Sequence, residues 1–271
     1  MRGGLALALL VGLVLVQAPA PTIASGRLTP PVACVRCWRP SPHPTWQWQL
    51  SATLDTRVRA RIYDVDLFDT TSAQVVKLHR LGRKAVCYID AGSWENYRPD
   101  AARYAKSLVG KKLQGWPQER WLDIRRIAKL GPLIRHRVLL CKGKGFDGVE
   151  FDNVDGYEND TGFHLTALDQ LRFNIFLANM AHRYHLAVAL KNDPDQVKKL
   201  EPYFDWSLDE QCFQYSECRS LLPFIRAGKP VFEIEYYLPR SRFCSKAATY
   251  GFDALRKRLN LGPWLRRCPK A

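Results

Sequence analysis

From residue 46 onward, short apolar runs alternate with longer stretches of helical spacing. The strand-like runs cover 46–50, 61–66, 84–90, 148–152, 186–191, 206–210 and 231–236, with a weaker eighth at 252–255. Helical patterns fall between them at 72–81, 99–109, 124–140 and 165–184, with shorter ones at 194–200 and 220–227. Strands separated by helical stretches predict βαβ units and a parallel sheet. Seven or eight such units in this length of chain fit a closed barrel better than an open doubly wound sheet. No Gly-x-Gly-x-x-Gly opens the first helix, which argues against dinucleotide binding. The predicted fold class is therefore α/β: a single (β/α)8 TIM barrel over 46–271.

Ahead of the barrel the pattern changes twice. Met1 and Arg2 precede an unbroken apolar run from Leu5 to Val16, and small residues follow at Ala18, Ala20, Ala24 and Ser25. This layout predicts a cleavable signal peptide over 1–24 and a secreted protein. The run is shorter than the ~20 residues that span a bilayer as a helix. No other segment is long and apolar enough, so stable membrane insertion is not expected. Residues 25–45 carry Pro30, Pro31, Pro40, Pro42 and Pro44, and predict an extended Pro-rich linker. Export makes the 8 cysteines disulfide candidates. Their connectivity stays open, because so many thiols allow about a hundred pairings. Cys34 and Cys37 form a C-x-x-C with no second pair at zinc-finger spacing. Cys212 and Cys218 flank a short loop and are placed to bridge. Cys87, inside an apolar run, reads as a buried free thiol.

Composition adds one element. With 46% hydrophobic and 25% charged residues the chain is globular. Lys and Arg number 41 against 26 Asp and Glu, a net charge of +15 that favours anionic surfaces and polyanions. Export and the lack of a recognisable nucleic-acid motif argue against nucleic acid as a partner.

The candidate chemistry lies in acids at the strand ends. Side chains alternate along a strand, so parity assigns faces. Asp64 and Asp66 share one parity of the second strand, Tyr88 and Asp90 one parity of the third, and Glu150 and Asp152 one parity of the fourth. On 206–210 parity leaves Asp209 and Glu210 open. On 231–236, Phe232 and Ile234 are expected to face the helices, with Glu233 and Glu235 pointing inward. Parallel strands are normally near-continuous apolar runs, so acids on one parity of several strands mark a site at the barrel's top face. Crowded carboxylates suit either divalent metals or glycoside hydrolysis, which needs one acid and one carboxylate. Aromatic residues near the strand ends, among them Trp46, Trp48, Tyr88, Trp94, Tyr97, Trp116 and Tyr236, favour sugar. The six histidines are too scattered for zinc, and no Gly-x-Ser-x-Gly elbow is present.

These residues resemble the endo-α-1,4-polygalactosaminidase family, glycoside hydrolase family 114. The likeness rests on Trp-Gln-Trp-Gln-Leu at 46–50, Tyr-Asp-Val-Asp at 63–66, and Cys-Tyr-Ile-Asp-Ala-Gly-Ser-Trp-Glu at 87–95. It continues through Glu-Arg-Trp-Leu-Asp-Ile-Arg at 119–125 and Gly-Phe-Asp-Gly-Val-Glu-Phe-Asp-Asn-Val-Asp at 145–155. Lys191-Asn192, Asp209-Glu210-Gln211-Cys212 and the acids of 231–236 complete it. The first 45 residues lie outside these motifs. The resemblance implies a secreted (β/α)8 enzyme that cuts internal α-1,4 linkages in galactosamine-containing polysaccharide. It also implies Asp152 as nucleophile and Glu210 as general acid/base, in a retaining mechanism with a bell-shaped pH profile. Asp64, Asp90, Glu150, Asn153, Lys191, Glu233 and Glu235 would shape the sugar subsites, with Tyr88, Trp94 and Tyr236 as aromatic contacts. No cofactor or metal is implied, and a monomer is expected. An acidic cleft in a basic shell would reconcile a cationic polymer with a cationic enzyme. The rival readings are a carbohydrate-binding barrel without catalysis, and a glycosidase for another amino-sugar polymer.

Overall fold

The computed structural model describes residues 28–269, so the expected signal peptide lies outside the described residues. The first elements among the described residues are strands β1 (Trp46–Gln49) and β2 (Ile62–Asp66), helix α1 (Ser72–Arg80) and strand β3 (Lys84–Asp90). Three short strands then follow: β4 (Ser93–Glu95), β5 (Val109–Leu113) and β6 (Trp116–Leu122). The alternation resumes with α2 (Ile127–Lys144), β7 (Gly148–Asp152), α3 (Ala167–Arg183) and β8 (Ala187–Lys191). Next come α4 (Val197–Leu200), β9 (Trp206–Glu210), α5 (Cys212–Tyr215), α6 (Leu222–Arg226) and β10 (Val231–Glu235). Helix α7 (Arg240–Tyr250), β11 (Asp253–Lys257) and β12 (Leu265–Arg267) end the fold.

The main sheet runs β1-β2-β3-β7-β8-β9-β10-β11-β12. Its first eight strands are parallel, and β12 pairs antiparallel with β11. Side chains close the seam to β1. Trp46 Nε1 donates to Asp253 O at 2.7 Å, and Lys257 Nζ to Gln47 Oε1 at 2.8 Å. This is the predicted barrel, with β7 and β9 as its fourth and sixth strands. Helices α1 and α3 start at capping boxes, Thr71 with Gln74 and Thr166 with Asp169, in which each side chain pairs with the other residue's backbone N–H.

Two apolar layers follow from the period-2 alternation. Inside the barrel pack Trp46, Trp48, Ile62, Val86, Trp206, Leu208, Phe232 and Ile234. Gly148, Ala187 and Ala189 leave room there: a Cβ on Gly148 would stand 3.1 Å from the Trp206 ring. Outside, Tyr63, Val65, Ile89, Val149, Phe151, Val188 and Leu190 pack in a second core that includes residues of the helices.

This layering corrects one expectation. On β10 the inward set is Phe232 and Ile234, with Phe232 stacked on Trp46 at 4.7 Å between centroids. Glu233 and Glu235 therefore point away from the lumen, into the helix layer. Parity divides a strand into two sets, and here packing against the lumen tryptophans decides which set faces in. The same logic on β9 puts Trp206, Leu208 and Glu210 inside and Asp209 outside.

The predicted helix over 99–109 is not formed. The stretch makes two 3₁₀ turns, at Ala101–Arg103 and Lys106–Leu108, and then enters β5. Pairing in the small antiparallel sheet β4-β6-β5 overrides local propensity there.

All eight cysteines are paired: Cys34–Cys37, Cys87–Cys141, Cys212–Cys218 and Cys244–Cys268. Cys87 is thus not a free thiol. It lies on the outward parity of β3, where it meets Cys141 of α2.

Residues 28–45 are extended but tied down. Val32 N and Asn179 Oδ1 are 2.7 Å apart, Tyr203 OH donates to Thr29 O at 2.8 Å, and Trp38 packs against Trp206 at the N-terminal mouth of the barrel. At the other end of the chain, Cys268 N donates to Ala254 O beside the start of β11. No helix among the described residues is long and apolar enough to cross a membrane.

Candidate active site

The strand ends converge on Lys191. From the end of β8 its Nζ lies 2.6 Å from Asp152 Oδ1 and 2.7 Å from Glu210 Oε2. Because one nitrogen touches both, those two oxygens are at most about 5.3 Å apart, the sum of the contacts. Tyr88 OH donates to Asp152 Oδ2 at 2.7 Å, and Tyr236 OH donates to Glu210 Oε1. The Trp48 ring lies beneath the ammonium, 5.0 Å from its centroid.

The chain turns sharply after each of these strands. Asn153, Asn192 and Gln211 have φ of 58°, 49° and 64°, a left-handed conformation uncommon outside glycine. The turns are held by the site itself. Asn153 N donates to Asp152 Oδ1 at 2.8 Å, and Glu210 N donates to Asn192 Oδ1 at 3.0 Å. Gly92 passes so close that a Cβ would stand 1.6 Å from Asn153 O, so no side chain is possible there.

Burial alone would push the Asp152 carboxyl up. The Lys191 ammonium and the hydrogen bonds from Lys191, Tyr88 and Asn153 more than offset it, and hold the group below its ordinary value. Burial likewise opposes the charge on Lys191, and Asp152 and Glu210 keep it protonated. Deeper in the lumen, burial raises Asp64 to about 7 and Glu150 well above its ordinary value. That pair lies beneath the site, where burial disfavours its charged forms. Asp90 is raised to about 8 by burial and by the charges of Glu119 and Asp152. Its Oδ2 accepts from Asn153 Nδ2 at 2.8 Å, and Arg137 of α2 anchors its backbone through Asp90 O at 2.8 Å.

A cleft of about 380 Å³ opens over this centre. Of the residues expected at the site, Tyr88, Asp152, Asn153, Lys191, Glu210 and Tyr236 line it. Asp64, Asp90 and Glu150 are buried below or behind it. Trp94 does not reach it: its Nε1 donates to Ala101 O at 3.0 Å, and its ring packs on the outer core. Glu233 and Glu235 are behind the barrel wall. Glu235 Oε1 accepts from Phe213 N and Gln214 N, at 2.9 and 3.1 Å.

The acidity of the cleft comes instead from Asp66, Asp69, Glu95 and Glu119. Glu95 and Glu119 stand within the motifs of the sequence, and Tyr97 and Trp116 carried the aromatic signal. Being off the barrel strands, they had no parity from which to read a direction. Carboxylate oxygens of Asp90, Glu95 and Glu119 come within 4.8 Å of one another. Each of these residues already has hydrogen-bond partners in Ser93, Tyr97, Arg98 or Asn153, so the group is not assigned a metal.

A parallel (β/α)8 barrel that aims two carboxylates from its fourth and sixth strands into an aromatic, acidic cleft is built as a glycoside hydrolase. The chain belongs to glycoside-hydrolase family GH114, whose family model matches residues 28–271. That match includes most of the Pro-rich segment, which the sequence motifs left outside. Among solved structures, Ega3 of Aspergillus fumigatus, crystallised in complex with galactosamine, aligns with a TM-score of 0.82 at 38% identity. The alignment covers 90% of this chain and 100% of that one. The glycoside hydrolase domain of PelA from Pseudomonas aeruginosa aligns at TM-score 0.64 and 14% identity, over 83% of this chain and 98% of that domain, a likeness of fold. No curated protein sequence matches the chain.

Proposed function

We propose that this glycoside hydrolase is secreted and cuts internal α-1,4 linkages of galactosamine-containing polysaccharide with retention of configuration. The observation that carries the mechanism is the shared contact of Asp152 and Glu210 with Lys191, which bounds their nearer oxygens at about 5.3 Å. Retaining pairs stand about 5–5.5 Å apart, whereas inverting pairs need about 6.5–9.5 Å to admit a water. The galactosamine bound to Ega3 supports the substrate class, as does a cleft rich in carboxylates.

In this reading Asp152, kept ionised by Lys191, attacks the anomeric carbon. Glu210 passes its proton to the glycosidic oxygen, the bond to the leaving chain breaks, and a β-linked glycosyl ester forms on Asp152. Glu210, now a carboxylate, takes a proton from water. The water oxygen displaces Asp152 and restores the α configuration.

The test is mass spectrometry of oligosaccharides released from partly deacetylated α-1,4-galactosaminan by wild type, Asp152→Asn and Glu210→Gln. Short ladders are expected from wild type. Glu210→Gln should lose about 10²–10⁴-fold, and folded Asp152→Asn should release nothing. Polymer binding without release by wild type would overturn the hydrolytic assignment in favour of a binding barrel.

A further inference from the structure

The small sheet β4-β6-β5 has no part in the two-carboxylate chemistry, yet it walls the same cleft with Tyr97, Trp116 and Glu119. Trp116 is 45% exposed and Tyr97 is 52% exposed. Apolar surface at the rim of a groove marks a ligand site, and these two exposed rings line one cleft. The stem that carries it is rigid. Lys111 N donates to Thr161 O at 2.8 Å, Arg120 Nε donates to Gly110 O at 2.8 Å, and Gly115 turns the hairpin at φ +83°. At Gly110 the hairpin lies so close to the loop after β7 that a Cβ would stand 2.2 Å from Thr161 O.

Glu119 has hydrogen-bond partners, but none of them is a cation. Ser93 Oγ reaches its Oε2 only at 3.3 Å, and Tyr97 OH its Oε1 only at 3.5 Å. Among the described residues no Lys or Arg forms an ion pair with it, whereas Arg98 and Arg137 serve Glu95 and Arg98 serves Asp66.

We propose that this wall is a separate sugar subsite, in which Trp116 stacks against the apolar face of a ring and Glu119 accepts a hydrogen bond from a protonated sugar amine. The C–H groups on one face of a pyranose are positively polarised and suit the negative face of an indole. The ammonium supplies the charged donor that Glu119 lacks. Burial and the charges of Glu95 and Asp152 raise Glu119 to about 7, so an arriving ammonium replaces a proton near neutral pH. The subsite lengthens the stretch of polymer that the enzyme grips and favours free amines over N-acetylated residues there. This deepens the function proposed above and rests on it.

The experiment measures KM and kcat on α-1,4-linked galactosamine oligosaccharides of increasing length, and on their N-acetylated counterparts. The proteins are wild type, Trp116→Ala, Trp116→Phe and Glu119→Gln. Trp116→Ala should raise KM about tenfold for the longest chains and much less for the shortest, a loss in KM rather than kcat that Trp116→Phe partly restores. Glu119→Gln should reduce the preference for free-amine chains about tenfold. Equal KM at every length in a Trp116→Ala variant with an unchanged melting curve would overturn the platform. Equal losses on both polymers in Glu119→Gln would overturn the amine contact. If wild type cleaves neither polymer, calorimetric titration of Asp152→Asn with a galactosamine decasaccharide decides the subsite separately. Weaker binding on adding Trp116→Ala supports it, and unchanged binding overturns it.

Discussion

At the scale of single residues, Lys191 decides the behaviour of the centre. It is buried between two carboxylates and over an indole, so its charge cannot be replaced by solvent. Removing it by Lys191→Met leaves Asp152 with the burial that raises its carboxyl and without the ammonium that lowers it. The proposed mechanism needs Asp152 ionised, so the acidic limb of the kcat/KM profile should move to higher pH, and the maximum should fall on the order of 10²-fold. A pH-rate series on the two proteins checks this; an unmoved acidic limb would contradict it. Asp152, Tyr88 and Tyr236 were legible from their places at or near the ends of barrel strands, whereas Glu210, Lys191 and Asn153 came from the family resemblance, parity having left Asp209 and Glu210 open. Glu119 was not legible as a cleft acid. Its direction depends on how a three-stranded appendage folds back, and no local pattern records that.

At the scale of elements, alternation located every barrel strand but not always its inner face. β10 shows why. Both of its parities are consistent with burial, one set aromatic and aliphatic, the other acidic, and the choice is made by tryptophans on β1 and β9. The misjudged Glu235 serves a different element. Its carboxylate receives the first amides of α5, the short helix that follows Glu210 and Gln211. Glu235→Leu should leave two half-buried N–H groups without their acceptor and cost about 1 kcal/mol. Glu235→Gln keeps an accepting oxygen and should lose much less. Chemical denaturation of the pair is the measurement, and equal midpoints would refute the capping role. The same limit hid the small sheet: residues 99–109 have helical composition, yet they form two 3₁₀ turns that lead into β5, a strand that exists only through long-range pairing.

At the scale of the whole molecule, a basic surface encloses an acidic interior. The chain carries +15 overall, while burial raises Asp64, Glu95 and Glu119 to about 7 and Asp90 and Asp193 to about 8. Glu150, Asp209 and Glu233 are pushed well above their ordinary values, also by burial first. Between about pH 4 and pH 7 the folded chain therefore binds more protons than the unfolded chain, whose carboxyls titrate near 4. Stability should fall as pH rises through that window. Asp152 and Asp100 are shifted down, each despite burial, by Lys191 and by Arg137. Their contribution is lost as pH falls through their lowered values. The melting temperature should thus peak at mildly acidic pH and decline toward pH 8, which a calorimetric series from pH 3 to pH 8 measures. A steady rise to pH 8 would exclude it. The closed barrel, its strand order and its carboxylate-lined mouth could be anticipated from the sequence, since they follow from regular spacing. The docking of residues 28–45 could not, because prolines fix an extended path without naming the surface it lies on. That docking has a practical outcome. Trp38 covers the N-terminal floor of the barrel at Trp206, and the described C-terminal end meets the same floor, Cys268 against Ala254, while the cleft opens at the opposite mouth. A protein immobilised on a bead or a coated film through that C-terminal end would hold its open mouth toward the bulk liquid, where long polymer strands have to enter.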